Sequence, residues 1–373
     1  KTQALGKFLV QNPTEVKEYV PLLGVEGISG NDAYAGTMVE QGSIPLDPGQ
    51  RRYIHFAIDT AETLDSLNVM IPGTFVRQGQ GQSEVVQFQL GRLHIRGFGQ
   101  DMANPNQPSY LYGQPIAFDP VSDFKPGNVD ISLVEFHVTY DEIEGYQTAM
   151  GKFKIHNKEN VPVSVPVFQT ELVSGDGYRF VGHRQQPAPA IIAANASVTV
   201  NYAYVLPESV ESPYYAVKIL DAESSSAYPT TVASVKVTPQ ELEEHDRTLE
   251  VYPYSIEIKR WNLWLDRQFS VMGGYNVFNL KMVLELERDK DFIPDGNLPR
   301  IKFELIDEDG EVLDEQYAGF TGAGRLQDGE IEILFGNYHV NYFDSRTYVR
   351  VYEVIETDMG EAKRLLTTLE RGH

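Results

Sequence analysis

Apolar and polar residues alternate along most of the chain, in short runs separated by Pro, Gly, Asn and Asp. In Arg52–Ile58, the residues Ile54, Phe56 and Ile58 fall on one face of an extended strand, and Glu330–Phe335 alternates in the same way. Because successive side chains of a strand point to opposite faces, this pattern predicts half-buried β-strands. The many Tyr, Phe, Val, Ile and Thr residues favour the same conformation.

The chain repeats itself. Gly6–Asn12 matches Gly151–Asn157 at Gly, Lys, Phe and Asn, 145 residues later (6 to 151). Glu171–Gly177 then matches Glu304–Gly310, 133 residues later (171 to 304). Ungapped offsets of this kind are typical of tandem structural units and indicate three copies.

Each copy is expected to be a β-sandwich, because about seven short strands in roughly 120 residues are typical of that architecture. The predicted fold class is all-β, with three tandem Ig-like β-sandwich domains at residues 1–128, 129–248 and 249–373. Tight hairpin turns are expected at Asp176-Gly177 and Asp309-Gly310. Helical character is limited to 238–245 and the tail 359–371, so the third domain is expected to end in a short helix.

The first copy lacks an opening strand. Ile131–Val138 precedes Gly151 in the second copy and Tyr254–Ile258 takes this place in the third, but few residues precede Gly6. The chain is a fragment or has a short edge, or a neighbouring subunit adds the strand. Residues 92–128, which are longer than their counterpart in the second copy, are a further candidate to fill the gap. The sequence leaves these alternatives open.

Composition and charge narrow the class of function. A net charge of −22, from 53 acidic and 31 basic residues, disfavours nucleic acid and anionic membranes as partners. The chain has no cysteine, which excludes disulfides, thiolate metal sites and cysteine nucleophiles. Absence of cysteine is common in exported Gram-positive proteins, so an extracellular or cell-surface location is expected. No stretch approaches the roughly 18 apolar residues that span a membrane. Because Lys1 is not an initiator Met, we expect a processed protein or an excised fragment.

The sequence contains no recognisable catalytic motif. Zinc-protease, P-loop, nucleophile-elbow and dinucleotide-binding patterns are missing, and the eight histidines form no short-spaced pair. Carboxylates far apart in sequence can meet in the fold, as in glycosidases, but nothing singles out a pair. We therefore predict no catalytic residues and a non-enzymatic protein, with a glycan-active enzyme as the weakest alternative.

One acidic run is a candidate metal site. Asp289, Asp291 and Asp295 lie close together in sequence, and hard cations such as Ca²⁺ bind several oxygens from one loop. The spacing is not that of an EF-hand, and the second copy carries no such run. A solvated loop between strands is the alternative interpretation. Ca²⁺ is the one cofactor for which the sequence offers a candidate site; no other cofactor is predicted.

Aromatic residues provide two candidate ligand-binding surfaces. Trp261 and Trp264 form one, and Tyr110, Tyr112 and Phe118 lie in the long stretch 97–128, rich in Gly, Asn, Gln and Pro. Aromatic rings can stack on sugars, and long loops on rigid sheets often carry function. The alternatives are that the Trp residues belong to the core and that 97–128 is a packing linker between domains.

The second copy carries the strand Lys152–Asn157 with the pattern Lys-Phe-x-x-x-Asn, and the strand Ala194–Tyr202 closed by Leu206-Pro207. In these features it resembles the Ig-like modules of exported Gram-positive surface proteins, including surface-layer-associated proteins. The resemblance implies a surface location and a spacer, scaffold or adhesive role, and it transfers no active-site residues.

We therefore expect a non-enzymatic extracytoplasmic scaffold or assembly subunit that binds other surface proteins or itself. A carbohydrate-binding or adhesive array is the alternative.

Overall fold

The structure is a computed structural model in which all described regular elements are β-strands. It describes residues 3–62, 64–78, 83–96, 106–120, 122, 124, 126–141, 145–221, 230–241, 247–270, 273–294, 297–322, 324–338 and 347–370. The sheets are antiparallel, which confirms the all-β class expected from the alternating pattern. We call residues 1–128, 129–248 and 249–373 the first, second and third repeat.

The first repeat folds as one large sheet and one small one. Its strands are β1 (Gln3–Gln11), β2 (Glu18–Val20), β3 (Gly24–Ser29), β4 (Asp32–Met38), β5 (Ile44–Leu46), β6 (Arg51–Asp59), β7 (Ser66–Gln78) and β8 (Ser83–Arg96). The large sheet has the order β1-β6-β4-β3-β7-β8, and β2 pairs with β5. On β6, Ile54, Phe56 and Ile58 are buried together, as the alternation predicts.

The second repeat distributes equivalent strands over two four-stranded sheets. Its strands are β9 (Val129–Asp141), β10 (Tyr146–Asn157), β11 (Val163–Ser164), β12 (Phe168–Ser174), β13 (Arg179–Val181), β14 (His183–Arg184), β15 (Ile191–Ile192), β16 (Ser197–Pro207), β17 (Tyr215–Asp221) and β18 (Thr230–Val237). The sheets have the orders β14-β16-β10-β9 and β13-β12-β17-β18, and β11 pairs with β15.

The third repeat also forms two four-stranded sheets. Its strands are β19 (Thr248–Val251), β20 (Tyr254–Ser270), β21 (Gly273–Arg288), β22 (Arg300–Ile306), β23 (Val312–Ala318), β24 (Gly329–Tyr338), β25 (Tyr348–Thr357) and β26 (Gly360–Glu370). The sheets have the orders β19-β20-β21-β24 and β23-β22-β25-β26. The expected hairpins are present, with Gly177 and Gly310 at φ values of 89° and 84°.

The sequence repeat is visible in the hydrogen bonds. Asn12 and Asn157 are both buried, and each Nδ2 donates to the carbonyl four residues on and to two carbonyls near a later strand. Each Oδ1 accepts the backbone N–H two residues on. The partners are Val16, Leu46, Asp47 and Thr14 for Asn12, and Val161, Ile192, Ala193 and Glu159 for Asn157. The offset of about 145 residues is thus a structural relation as well as a sequence match.

The prediction of a C-terminal helix was wrong. Gly360–Glu370 is strand β26, which pairs with β25 through a turn at Thr357–Gly360. Leu366 and Leu369 enter the core cluster of the third repeat. Helix-forming residues such as Ala, Lys, Arg and Leu set only a weak preference, and pairing with a buried strand overrides it. The other predicted helix covered residues 238–245. Of these, 238–241 are neither helix nor strand, and 242–245 lie outside the described residues.

The chain divides into two compact units, and their border does not follow the repeats. The smaller unit comprises 1–103, 117–125 and 219–234, and the larger comprises 104–116, 126–218 and 235–373. The smaller unit has a core cluster around Phe56, Ile58, Leu67 and Val69. The division into three Ig-like domains stays a prediction.

Candidate functional site

A lysine ammonium group lies buried in the larger unit. The Lys152 Nζ atom on β10 lies 2.7 Å from the Glu135 Oε2 atom on β9 and 2.7 Å from the Glu353 Oε1 atom on β25. Glu353 comes from the third repeat, whereas Lys152 and Glu135 come from the second. The ion pairs therefore tie the two repeats together through side chains that solvent scarcely reaches.

Arg364 on β26 supplies the second cation of the cluster. Its Nε and Nη2 atoms lie 2.9 and 2.5 Å from the Glu353 Oε2 atom, and Nη2 lies 3.5 Å from the Glu135 Oε2 atom. Nη2 also donates to the Glu250 carbonyl at 2.8 Å. Two carboxylates and two cations balance one another. We call Glu135, Lys152, Glu353 and Arg364 the ionic joint.

Apolar side chains pack beside the ionic joint. Met150 on β10 and Ala203 on β16 pack with Ile355 on β25, and Ala362 on β26 lies against the same group. The outer face of the β10–β16 pair is therefore covered by strands of the third repeat. This packing excludes water from the joint and makes each ion pair stronger than a surface pair, while raising the cost of leaving any charge unpaired.

The charges in the joint depend on one another. Burial alone would raise the pKa of Glu353, but Lys152 and Arg364 together hold that pKa well below its usual value. Burial alone would lower the pKa of Arg364, but the nearby Glu353 carboxylate raises that pKa above its usual value. Glu353 and Arg364 are thus both kept ionised, and the stabilisation from Glu353 is lost as its carboxylate is protonated in acid.

His137 borders the joint as a neutral ring. Its Nδ1 atom lies 3.1 Å from the Gln240 carbonyl oxygen, so Nδ1 carries the proton and donates it. Burial, followed by the nearby Arg364 charge, lowers the pKa of His137 to about 3. A protonated His137 would add a third cation to a cluster already balanced.

The space inside the cluster is small. Glu135, His137, Met150, Gly151, Lys152, Asn201, Glu353 and Arg364 line a cavity of about 10 Å³. A cavity of this size holds at most about one water molecule. The ionic joint is therefore organised to connect strands, and a substrate does not fit in it.

We expect His137 to make the larger unit acid-sensitive. Because its folded-state pKa of about 3 lies below the ordinary value of about 6.5, its contribution to stability is complete above pH 6.5 and is lost as the pH falls. Between pH 7 and pH 5 the wild type should lose about 2 kcal/mol more than the His137→Gln variant. Urea unfolding at a series of pH values measures this difference.

His183→Gln is the matched control for this prediction. The His183 Nδ1 atom lies 2.9 Å from an Asp358 carboxylate oxygen, and the Asp358 side chain is largely exposed. This variant should keep the acid sensitivity of the wild type. If the free energy of unfolding changed with pH in the same way for the wild type and His137→Gln, the lowered pKa of His137 in the folded state would be contradicted.

The described part of the stretch 97–128 packs within the larger unit. Gly113 and Ile116 donate backbone hydrogen bonds to the carbonyls of Leu133 and Ile131 on β9, and Tyr110 donates one to Lys236 on β18. Residues 109–116 therefore lie along the outer edge of β9 and bridge it to β18. The backbone contacts of these residues are thus with strands of the second repeat.

The three predicted aromatic residues of this stretch are half-buried. The Tyr110 hydroxyl accepts from the Leu133 N–H at 3.1 Å, and the Tyr112 hydroxyl donates to the Thr238 carbonyl at 2.6 Å. The Tyr110 and Tyr112 rings meet edge to face at 6.1 Å. Phe118 belongs to the smaller unit, where its ring lies 5.2 Å from that of Phe124. Tyr110 and Tyr112 thus lie together in the larger unit, and Phe118 packs within the smaller one.

The two tryptophans also fail to form a shared surface. Trp261 and Trp264 lie on β20 opposite Met282 and Asn279 of β21. A separation of three residues in a strand places their side chains on opposite faces. Trp261 packs against the core of the third repeat, beside the buried Leu263. Trp264 is half-buried on the other face.

The acidic run is divided between different contacts. An Asp289 carboxylate oxygen lies 2.7 Å from the Lys154 Nζ atom and accepts from the Tyr252 hydroxyl at 2.5 Å. Burial opposes ionisation of Asp289, but the hydrogen bond from Lys154 lowers its pKa overall. Asp291 is exposed, and Asp295 lies outside the described residues. Among the described residues, no group of three or more His, Asp or Glu side chains is arranged to hold a metal ion.

The ionic joint was not predicted from the sequence, in which Lys152 stands out only as part of the repeated Gly-Lys-Phe pattern. Glu135 and Glu353 each interrupt an apolar run on a strand, Ile131–Val138 and Val349–Ile355. A charge in such a position requires a buried partner, so the interruption was the available indication.

No protein-family model matches this chain. No curated protein matches it either. In the part of the chain that the structure describes, no helix is long and apolar enough to cross a bilayer.

Proposed function

We propose that this protein is a non-enzymatic extracytoplasmic scaffold or assembly subunit of the cell surface, built from repeated β-sandwich modules. The observation that carries the proposal is the ionic joint. A chain of independent binding modules needs only flexible linkers, whereas buried charges and packed apolar side chains fix one repeat against the next. Fixed modules suit a spacer or scaffold.

Composition supports the location. The chain carries a net charge of −22 and no cysteine, so its surface stays soluble at high local density and its folding requires no thiol chemistry. Other surface proteins, or further copies of the chain, are the proposed partners. The resemblance to Ig-like modules of exported Gram-positive proteins points to the same location.

The carbohydrate-binding alternative has less support. Tyr110 and Tyr112 use their hydroxyl groups in packing contacts, and Trp261 is part of the core. Of the two tryptophans, Trp264 is the one whose ring is not packed on that core cluster. A glycan array distinguishes this alternative from the scaffold proposal.

Immunogold electron microscopy of intact cells that naturally produce the protein tests the location. Antibodies raised against the full chain should label the outer surface, and mild protease treatment of intact cells should remove the label. Label confined to the cell interior would overturn the proposal.

A glycan array tests the function in parallel. The wild-type chain should bind no glycan above background. Specific binding that is lost in Trp264→Ala and kept in Trp261→Phe would contradict the scaffold proposal in favour of a carbohydrate-binding protein.

A further inference from the structure

Three paired strands of the second repeat present polar side chains on one face. Lys152 lies on β10, directly opposite Glu135 of β9 on one side and Asn201 of β16 on the other. His137 follows Glu135 by two residues on β9, so its side chain points to the same face. Strand β26 of the third repeat places Arg364 against this face, 3.5 Å from the Glu135 carboxylate. All five residues line the small cavity of the ionic joint.

Three of the residues around this cavity have a polar side-chain atom that makes no hydrogen bond within the described part of the chain. These atoms are His137 Nε2, Asn201 Oδ1 and Arg364 Nη1. The three residues are only 5%, 2% and 1% exposed, so bulk solvent does not reach the atoms. Buried polar atoms are nearly always hydrogen-bonded, either to protein or to ordered water. Three such atoms around one cavity therefore indicate a molecule bound between them.

The remaining contacts of these residues show which atoms donate and which accept. His137 Nδ1 donates to a backbone carbonyl, so Nε2 carries no proton and is an acceptor. Gln185 Nε2 also donates to a backbone carbonyl, so Gln185 Oε1 accepts from Asn201 Nδ2 and leaves Asn201 Oδ1 as an acceptor. Arg364 Nη1 can only donate. The cavity is thus surrounded by two acceptors and one donor that lack partners.

We propose that this cavity is a binding site for one water molecule that links the second and third repeats. The water accepts from Arg364 Nη1 on β26 and donates its two hydrogens to His137 Nε2 on β9 and Asn201 Oδ1 on β16. Buried waters typically make about three hydrogen bonds, and a volume of about 10 Å³ is that of one water-sized sphere. The packing that keeps bulk solvent out of the joint encloses this single molecule. The site rests on these buried atoms and is independent of the proposed function.

Charge and size select water over other small ligands. The two carboxylates and two cations of the ionic joint already balance, so a bound ion would have no counter-charge. A cation would meet the Arg364 guanidinium, and an anion would meet the lone pair of His137 Nε2. The Glu135 Oε2 atom lies 2.7 Å from the Lys152 Nζ atom and is thus already paired. Water is the neutral molecule of one heavy atom that can accept once and donate twice here.

A high-resolution crystal structure of the full wild-type chain tests the site directly. We expect one ordered water, with its oxygen about 2.7–3.2 Å from His137 Nε2, Asn201 Oδ1 and Arg364 Nη1. A dry cavity would overturn the proposal. An ion in the place of the water, or direct hydrogen bonds among the three side chains, would overturn it as well. This measurement needs no variant, so it stands even if a substitution prevents folding.

Magnetic relaxation dispersion of the solvent counts long-lived buried waters in solution. Asn201→Leu keeps the branched shape of the side chain but removes the acceptor, so this variant should hold about one such water fewer than the wild type. Gly151→Ala is the matched control on the neighbouring strand. Its added Cβ lies on the opposite face of β10, in ordinary contact at 3.7–3.8 Å with Leu133, Phe136 and Tyr204. It should keep the wild-type count, and an unchanged count for Asn201→Leu would contradict the water site.

Discussion

Glu353→Gln should lower the free energy of unfolding of the larger unit by about 3–5 kcal/mol, the cost typical of breaking a buried ion pair from one side. Glu353 accepts from Lys152 at 2.7 Å and from Arg364 at 2.5 Å, and its side chain is almost completely buried. The amide has nearly the same size, so the packing of the site is kept. The loss comes from two buried cations that then share Glu135 alone.

The measurement is urea unfolding at pH 7, with hydrogen exchange to show which strands open. Asp130→Asn is the matched control, because it makes the same change from carboxylate to amide in an ion pair that solvent reaches: Asp130 on β9 pairs with Lys158 at 2.8 Å. An exposed pair contributes about 0–1 kcal/mol. Equal effects of the two substitutions would show that the joint is no stronger than a surface contact. In that case the rigid link between the repeats would lose its physical basis.

Phe153→Ala should cost about 3–5 kcal/mol, whereas the equivalent Phe8→Ala should cost roughly half as much. Phe153 is completely buried and packs edge to face on Phe168 and Tyr202, at 5.5 and 5.7 Å. Phe8 stacks on Phe56 at 4.6 Å but keeps part of its surface in water. Truncating the half-buried ring removes fewer contacts and leaves a smaller cavity.

Hydrogen exchange provides the free energy of opening for each repeat separately. Amides of β16 report on Phe153→Ala, and amides of β6 report on Phe8→Ala, since these strands pair with β10 and β1. Each variant therefore serves as the control for the other. A cost for Phe8→Ala as large as that for Phe153→Ala would contradict the prediction, because it would mean that Phe8 is covered as completely as Phe153.

The strands and hairpin turns could be predicted from the sequence because they depend on the chemistry of neighbouring residues. The alternation in Arg52–Ile58 produced strand β6 with its predicted buried face. The Asp-Gly pairs at 176–177 and 309–310 lie in hairpin turns, because glycine adopts positive φ without strain. The repeat predicted equivalent strands, and Asn12 and Asn157 indeed make equivalent hydrogen bonds.

The C-terminal segment shows where local chemistry is insufficient. Residues 360–370 contain good helix formers, yet they pair with β25 and bury Leu366 and Leu369. Helix preference amounts to less than about 1 kcal/mol per residue, and the pairing of a whole strand with a buried neighbour exceeds it. The two tryptophans show the same limit, because closeness in sequence does not decide which face of a strand a side chain occupies: Trp261 and Trp264 lie on opposite faces of β20.

The sequence by itself determined that this chain is β-rich, acidic and free of cysteine, and that its copies share one pattern of strands. Only the tertiary structure decided that Glu135, Lys152, Glu353 and Arg364 meet in one buried joint, because these residues are separated by up to 229 positions (135 to 364). Which strands pair depends on contacts between residues that are far apart in the chain. The pattern of a single sequence predicts local structure but not these contacts.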